Sequence, residues 1–336
     1  MQETGFNTDR YIKFQLRKIE STVKNPGSKL YIEFGGKIIQ DKHSARVLPG
    51  YREDAKLDIL KAICKDEGEA IFVVSARDIN RGRIRGDYKI TYDDETLRTI
   101  DGLKSRGLKI KHVVFSLLNK GEEISEAIIN LEKKLNTKGI KTYHFHALDG
   151  YNSIDFDINE FLKNPFIETS KRIICIVSPG GGSGKFGICL NQLFYEMKKG
   201  ISPKYLKFET FPVHDLPLNH PINLAFMAAS ADFYDIVMRD ERHGKATSYN
   251  RDLENYESLN LLSNYFKSEA RFLRKLTSAT NMGINMLSKG IINEEVIQKE
   301  AAAEVARRLV RYKFEVEAGK EHPSILDRVR KIMSML

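Results

Sequence analysis

Cysteine is scarce in this chain of 336 residues: Cys64, Cys175 and Cys189 stand far apart, and none belongs to a metal-knuckle spacing. That argues against a disulfide framework and leaves reduced thiols of a cytoplasmic protein as the expectation. Long apolar runs are also missing. Nothing approaches the roughly 18 consecutive apolar residues of a membrane span. The first ten residues, Met1 to Arg10, lack the basic-then-apolar order of a secretion signal, so a membrane is not an expected partner. No His-Glu-x-x-His run occurs, and His144 and His146 merely alternate along a strand-like segment, so no metal ligands are assigned. Blocks of one charge are absent too. The 54 Lys and Arg are interleaved with 45 Asp and Glu, and the net charge of +9 reads mostly as solvated helix surface. The excess still points towards an anionic partner of some kind.

Against these absences one stretch stands out. The apolar run Arg172 to Val177 meets Ser178-Pro-Gly-Gly-Gly-Ser-Gly-Lys185, and a helical pattern follows to Lys199. Strand, glycine-rich turn ending in Gly-Lys, and helix is the order that builds a phosphate cradle. Its backbone N–H groups converge where no Cβ intervenes, and the lysine adds a point charge. Gly180, Gly181, Gly182, Ser183, Gly184 and Lys185 are therefore the first candidate binding residues. Two positions depart from the P-loop pattern. Pro179 stands where the first glycine belongs, and Phe186 where a hydroxyl would hold magnesium. A nucleotide triphosphate is one candidate cofactor, while Phe186 speaks against a magnesium requirement. Lys185 is expected to be a solvated charge whose removal costs the fold about 0.5 kcal/mol or less.

Around this unit, strand-like and helix-like runs alternate. Residues 1–27 read as a helix (Thr8–Lys24) and a turn. A first α/β unit, 28–150, carries strands at Lys29–Phe34, Ala70–Ser75, His112–Leu117 and Lys141–Phe145, with helices between them. A second, 151–250, holds the P-loop-like βαβ unit with strands Arg172–Val177 and Tyr205–Thr210. Helical periodicity covers Ile222–Val237 and Glu254–Leu276, and a helical C-terminal section fills 251–336. The rhythm predicts an α/β fold with a mostly parallel sheet or sheets of Rossmann or P-loop-like type. The helix Glu294–Glu317 carries enough apolar positions to suggest a homo-oligomer.

Open parallel sheets bind ligands at the C-terminal ends of their strands, which selects further candidates. The first strand runs into Gly35-Gly36-Lys37, with His43 and Arg46 close behind. The second is followed by Arg77, Arg81, Arg83 and Arg85, four arginines in nine residues. Such density needs an anion or carboxylates to neutralise it, and Asp78 and Asp87 are the internal alternative. Glu209, at the end of the sixth strand, could orient a metal-bound water or pair with Lys207. Asn223 suits the cap of the following helix. Lys185, Glu209, Asp87 and His43 form the catalytic candidates.

These segments together resemble a bacterial family of unknown function, the domain of unknown function 1846. Its members carry a Pro-Gly-Pro-Gly-Ser-Gly-Lys loop and are sometimes labelled ATP-dependent zinc protease. The shared segments include Glu33 to Lys37, Ser75 to Asp78, Asn164-Pro165, Glu168-Thr169, Pro179 to Lys185, Lys207 to Pro212, Tyr249 to Asp252 and Asn281 to Asn285. Gly181 replaces the loop's usual second proline. The resemblance implies that relatives continue into a further C-terminal domain. The protease label gains nothing from these residues.

Three functions follow as expectations. The first is an enzyme of phosphoryl or nucleotidyl transfer or ligation, taking a phosphorylated small molecule on a deviant P-loop. The second is a module that binds such a ligand without turnover, and the third, not favoured, is RNA or single-strand binding.

Overall fold

The computed structural model describes residues 3–23, 29–85, 89–148, 150–151, 153, 155–243 and 247–336. Its strands are β1 (Leu30–Phe34), β2 (Gly68–Ser75), β3 (Ile84–Arg85), β4 (Ile90–Thr91), β5 (His112–Leu118), β6 (Lys141–His146), β7 (Ile173–Val177), β8 (Lys204–Phe208), β9 (Val237–Arg239), β10 (Thr247–Tyr249) and β11 (Gly283–Ile284). Seven of them form one sheet in the order β11-β8-β1-β7-β2-β5-β6, and every pairing in it is parallel. The remaining four make two short antiparallel ribbons, β3 with β4 and β9 with β10.

The two α/β stretches of the sequence share this single sheet. β1 lies between β7 and β8, with Leu30 in register with both Ile173 and Lys204. Alternation along β1 explains why it is buried throughout. Leu30, Ile32 and Phe34 enter one core and Tyr31 enters the other. Each such fully buried apolar side chain contributes about 1.5–3 kcal/mol. The first core is closed by the helices Thr8–Val23, Ala55–Cys64, Tyr92–Ser105, Glu126–Thr137 and Glu294–Glu317. The second is closed by Lys185–Lys198 and Asn250–Phe266, through Ile188, Leu193, Met197, Tyr256 and Leu259.

Chain direction fixes where a ligand can enter. From β1 the chain crosses over β7 to β2, and from β7 it crosses back over β1 to β8. The connections leave the neighbouring strands β1 and β7 in opposite directions, so their C-terminal ends open a crevice.

Two sequence expectations need correction. The helix expected over Ile222–Val237 ends at Ala229; a 3-10 turn at Ala231–Phe233 and β9 follow it. His220, not Asn223, caps that helix, its Nδ1 accepting from the Ile222 N–H at 3.2 Å. Asn223 instead clamps the preceding loop, accepting from the Val213 N–H at 2.8 Å and donating to the Pro217 carbonyl at 2.9 Å. In the helix Glu294–Glu317, Ile297, Ala301 and Val305 pack inside the chain, while Val310 and Phe314 are exposed. Among the described residues, no helix is long and apolar enough to cross a membrane.

Candidate functional site

The crevice holds a cavity of about 680 Å³. Its floor is the turn between β7 and the helix Lys185–Lys198, and two glycines shape that turn. Gly182 has φ +72° and lies under Phe233, whose Cε1 would stand 3.3 Å from an added Cβ. Gly184 has φ +73°, and a Cβ there would meet Leu117 at 3.1 Å. The Ser116 hydroxyl, from β5, donates to the Ser183 carbonyl at 2.6 Å and ties the turn to the sheet.

Lys185 is buried, not solvated, which overturns the sequence expectation. Its ammonium donates to Ser178 Oγ at 2.9 Å, and to Ser183 Oγ and the Gly180 carbonyl at 3.3 Å each. Burial is the main reason its pKa is lowered to about 8, with Glu33 pulling the other way. Phe186 packs against Tyr151 and Tyr205 in the second core. The position where a P-loop carries its magnesium hydroxyl is therefore apolar.

The structure brings most of the expected residues together. Gly35, Gly36, Lys37, His43, Arg83, Gly180, Gly181, Gly182, Ser183, Gly184, Lys185 and Glu209 all line the cavity. Two do not. Arg77 turns outward in the first turn of the short helix Ala76–Asn80, reaching Asn119 Oδ1 at 3.4 Å, and Arg81 is exposed just beyond that helix. Arg83 lines the cavity but is already paired with Asp78 Oδ1 at 3.1 Å. Asp87 lies outside the described residues, and the backbone of Arg85 closes β3.

Other cations supply what that segment does not. Lys56 is buried between Asp41 (2.9 Å) and the Gly35 carbonyl (3.1 Å), which fixes the end of β1. Asp41 is buried, yet Lys56 holds its pKa down at about 2. Arg308, Arg311 and Tyr312 reach the cavity from the helix Glu294–Glu317. Behind them the buried Glu304 collects His43 (3.2 Å), Arg46 (3.0 Å), Arg307 (2.7 Å) and Arg308 (3.0 Å). Burial opposes charge on Glu304, but these partners outweigh it and hold the carboxyl far below its ordinary range. His43 is pushed down by burial, so its neutral form is favoured. Ten lining residues are Lys or Arg and six are Asp or Glu, so the cavity suits an anion.

On the other wall, Lys207 projects from β8 into the second core. Its ammonium meets Asp252, Tyr249 OH at 2.9 Å and Glu209 Oε1 at 3.3 Å. Burial would lower the Lys207 pKa, but Asp252 and Glu209 outweigh it and hold it well above the ordinary value. Glu209 is kept at about 2, its burial offset by Lys207 and His214. Burial and the Glu209 charge drive Asp252 upward. One ammonium cannot neutralise two carboxylates, and the cluster resolves this by raising one of them. No metal ligands were assigned from the sequence, yet a ligand atom from each of Glu209, His214 and Asp252 lies within 4.8 Å of the others. The signal for these residues was present but diffuse: Lys207 to Pro212 and Tyr249 to Asp252 stood out among the segments that carry the family resemblance, with no visible reason to meet. Arg308 and Arg311 were masked by the apolar stripe of their helix.

Fold and site together define a doubly wound parallel α/β protein with an anion-favouring cavity at the C-terminal edge of its sheet. The chain belongs to the DUF1846 family: the model described as "Domain of unknown function DUF1846, N-terminal" matches residues 4–336. It is 40% identical over 340 residues to a UPF0371 protein of Clostridium tetani, covering 99% of this chain and 66% of that protein. A UPF0371 protein of Clostridium botulinum is 38% identical over 337 residues, with 98% and 65% covered. One from Streptococcus equi subsp. equi is 36% identical over 345 residues, with 99% and 67% covered. The chain thus spans about two thirds of the length of the relatives it matches.

Proposed function

We propose that the cavity binds a phosphorylated small molecule, a nucleotide or phosphometabolite, with its phosphate on the Gly180–Lys185 turn. One observation carries this reading. A buried lysine at the first turn of a helix is held, among the described residues, by hydroxyl and carbonyl oxygens alone, on the floor of a cavity with a cationic lining. Those neutral acceptors can be exchanged for phosphate oxygens, which interact with an ammonium about twice as strongly. The helix N-terminus adds its unpaired N–H groups on the same side.

Phosphoryl or nucleotidyl transfer is the reaction class proposed, because ionised Glu209 and the shifted Lys207 group stand on the wall of the same cavity. Binding without turnover is the second reading. The burial of Phe186 at the magnesium position favours it.

Titration of wild type and Lys185→Ala with ATP, GTP and pyrophosphate tests the binding claim. Loss of a charge-assisted phosphate contact worth about 1.5–3 kcal/mol weakens affinity roughly ten- to hundredfold. The substitution also strands buried acceptors and costs the fold about 1–2 kcal/mol, more than a solvated lysine would. A pH series adds an independent arm. Glu33, Lys207 and Lys56 are the charges that act on Lys185, whose pKa is about 8. Below that pH it is already charged; above it, phosphate binding must take up a proton, so affinity falls as pH rises past 8. Equal affinity in wild type and Lys185→Ala would make the turn structural and end the proposal.

A further inference from the structure

We infer that Glu209, His214 and Asp252 form a binding site for a first-row divalent metal ion, of the Zn²⁺ or Mn²⁺ class, in the wall of the cavity. The three donors come from separate parts of the chain: the end of β8, the loop after it and the helix Asn250–Phe266. They are all buried, and one ligand atom from each lies within 4.8 Å of the other two. A metal bound at about 2.0–2.2 Å by each donor needs a set of this size, drawn in by a small side-chain adjustment.

Proximity alone would not carry the assignment. The second observation is that Glu209 Oε2 and His214 Nε2 are buried, face each other at 3.6 Å and have no hydrogen-bond partner among the described residues. That separation is too long for a hydrogen bond between them. It fits two ligands on adjacent corners of one ion. Two buried polar atoms pointed at each other without a bond cost the fold unless something lies between them. The surroundings also hold the histidine in place. A Cβ on Gly283 would stand 2.6 Å from His214 Cε1, so the ring reaches this position only beside a glycine. The His214 carbonyl accepts from the Thr247 N–H at 2.8 Å, which anchors its backbone.

Charge and donor type select the ion. Lys207 binds Glu209 through Oε1 and Asp252 through Oδ1, leaving Glu209 Oε2 free for the ion. A divalent ion held by both carboxylates and the imidazole, beside the Lys207 ammonium, leaves the group one unit positive, facing an anion-favouring cavity. One imidazole with two carboxylates suits Zn²⁺ or Mn²⁺ better than an all-oxygen Mg²⁺ or Ca²⁺ site. An ion here would supply a Lewis acid at the cavity wall, where Phe186 denies one to the turn.

The test uses the metal ions alone, in phosphate-free buffer, so it stands apart from whether the turn binds phosphate. Calorimetric titration of the full chain should show one saturable site for Zn²⁺ or Mn²⁺, at least about tenfold tighter than for Mg²⁺. His214→Gln should weaken it by at least about tenfold, while the exposed His322→Gln should not. Wild-type crystals soaked in Mn²⁺ or Zn²⁺ give a readout that needs no variant: an anomalous peak within about 2.3 Å of Glu209 Oε2 and His214 Nε2. No saturable binding up to millimolar metal, binding that His214→Gln leaves unchanged, or anomalous peaks only elsewhere would each overturn the site.

Discussion

The two buried ionic groups of the cavity invert each other. Around Glu304 one carboxylate gathers His43, Arg46, Arg307 and Arg308; around Lys207 one ammonium gathers Glu209 and Asp252. The first belongs to a helix that packs into one core, the second to the core on the other face of the sheet. The Glu304 side is left with more cationic groups than its one carboxylate, and the Lys207 side with more carboxyl groups than its one ammonium, which is why the Asp252 pKa is driven upward. A cavity walled by both offers an anion site and a cation site side by side, which is what a phosphate ligand and a metal ion require together. The difference also teaches where buried charge comes from. Neither group can be justified by stability, since burying ions costs more than apolar packing in the same volume.

Breaking the comparison at its centre should have the largest effect. Glu304→Gln keeps the shape but removes the charge that reconciles three arginines and accepts from His43. Uncompensated buried charge of this kind costs about 3–5 kcal/mol, visible as a large fall in the chemical-denaturation midpoint. Lys207→Met should cost less, about 2–3 kcal/mol. The surplus proton already favoured on Asp252 leaves one charged carboxylate unpaired, not two. If Lys207→Met destabilised more than Glu304→Gln, the asymmetry drawn here would be reversed.

Acid sharpens the same contrast. Glu304 and Asp41 both have folded-state pKa values below their ordinary ones, Asp41 at about 2. Groups lowered in this way contribute stability above their unfolded pKa, near 4, and lose it as pH falls towards 2. Stability should therefore drop steeply below about pH 4, and Glu304→Gln should flatten that limb because it removes a contributing carboxyl. Denaturation midpoints between pH 2 and 6 for both proteins measure this.

How much of this the sequence revealed depends on the kind of signal. β1, β2, β5, β7 and β8 were legible as buried, mostly apolar runs and the half-exposed edge strand β6 by its alternation, and the ends of all six came within two residues. β11 was not, since its two residues, Gly283 and Ile284, carry no periodicity and pair only at the sheet edge. The glycine turn was legible because its chemistry is local. The Lys207 group was not, because His214 and Asp252 are 38 residues apart in sequence and meet only once β8, the ribbon and the helix Asn250–Phe266 are assembled. The segments that carried the family resemblance include scaffold as well as site. Asn164 bonds both backbone groups of His146, and Asn285 donates to the Thr210 and Pro212 carbonyls.

The smallest expected effect concerns the segment with four arginines in nine residues. Charge density there marked a surface: Arg77 and Arg81 are exposed, and Arg83 shares its charge with Asp78. The lysine that faces the cavity floor is buried and isolated in sequence from other cations. Arg77→Ala should therefore change stability by no more than about 0.5 kcal/mol, as surface substitutions usually do. It should leave affinity for ATP or pyrophosphate within about twofold of wild type, because its guanidinium bonds weakly to Asn119 and does not line the cavity. Lys185→Ala in the same titration supplies the contrast. A loss of affinity in Arg77→Ala comparable to that of Lys185→Ala would mean that the ligand extends out of the cavity and over the arginine segment, and that exposed charge density, not buried charge, marks the binding surface.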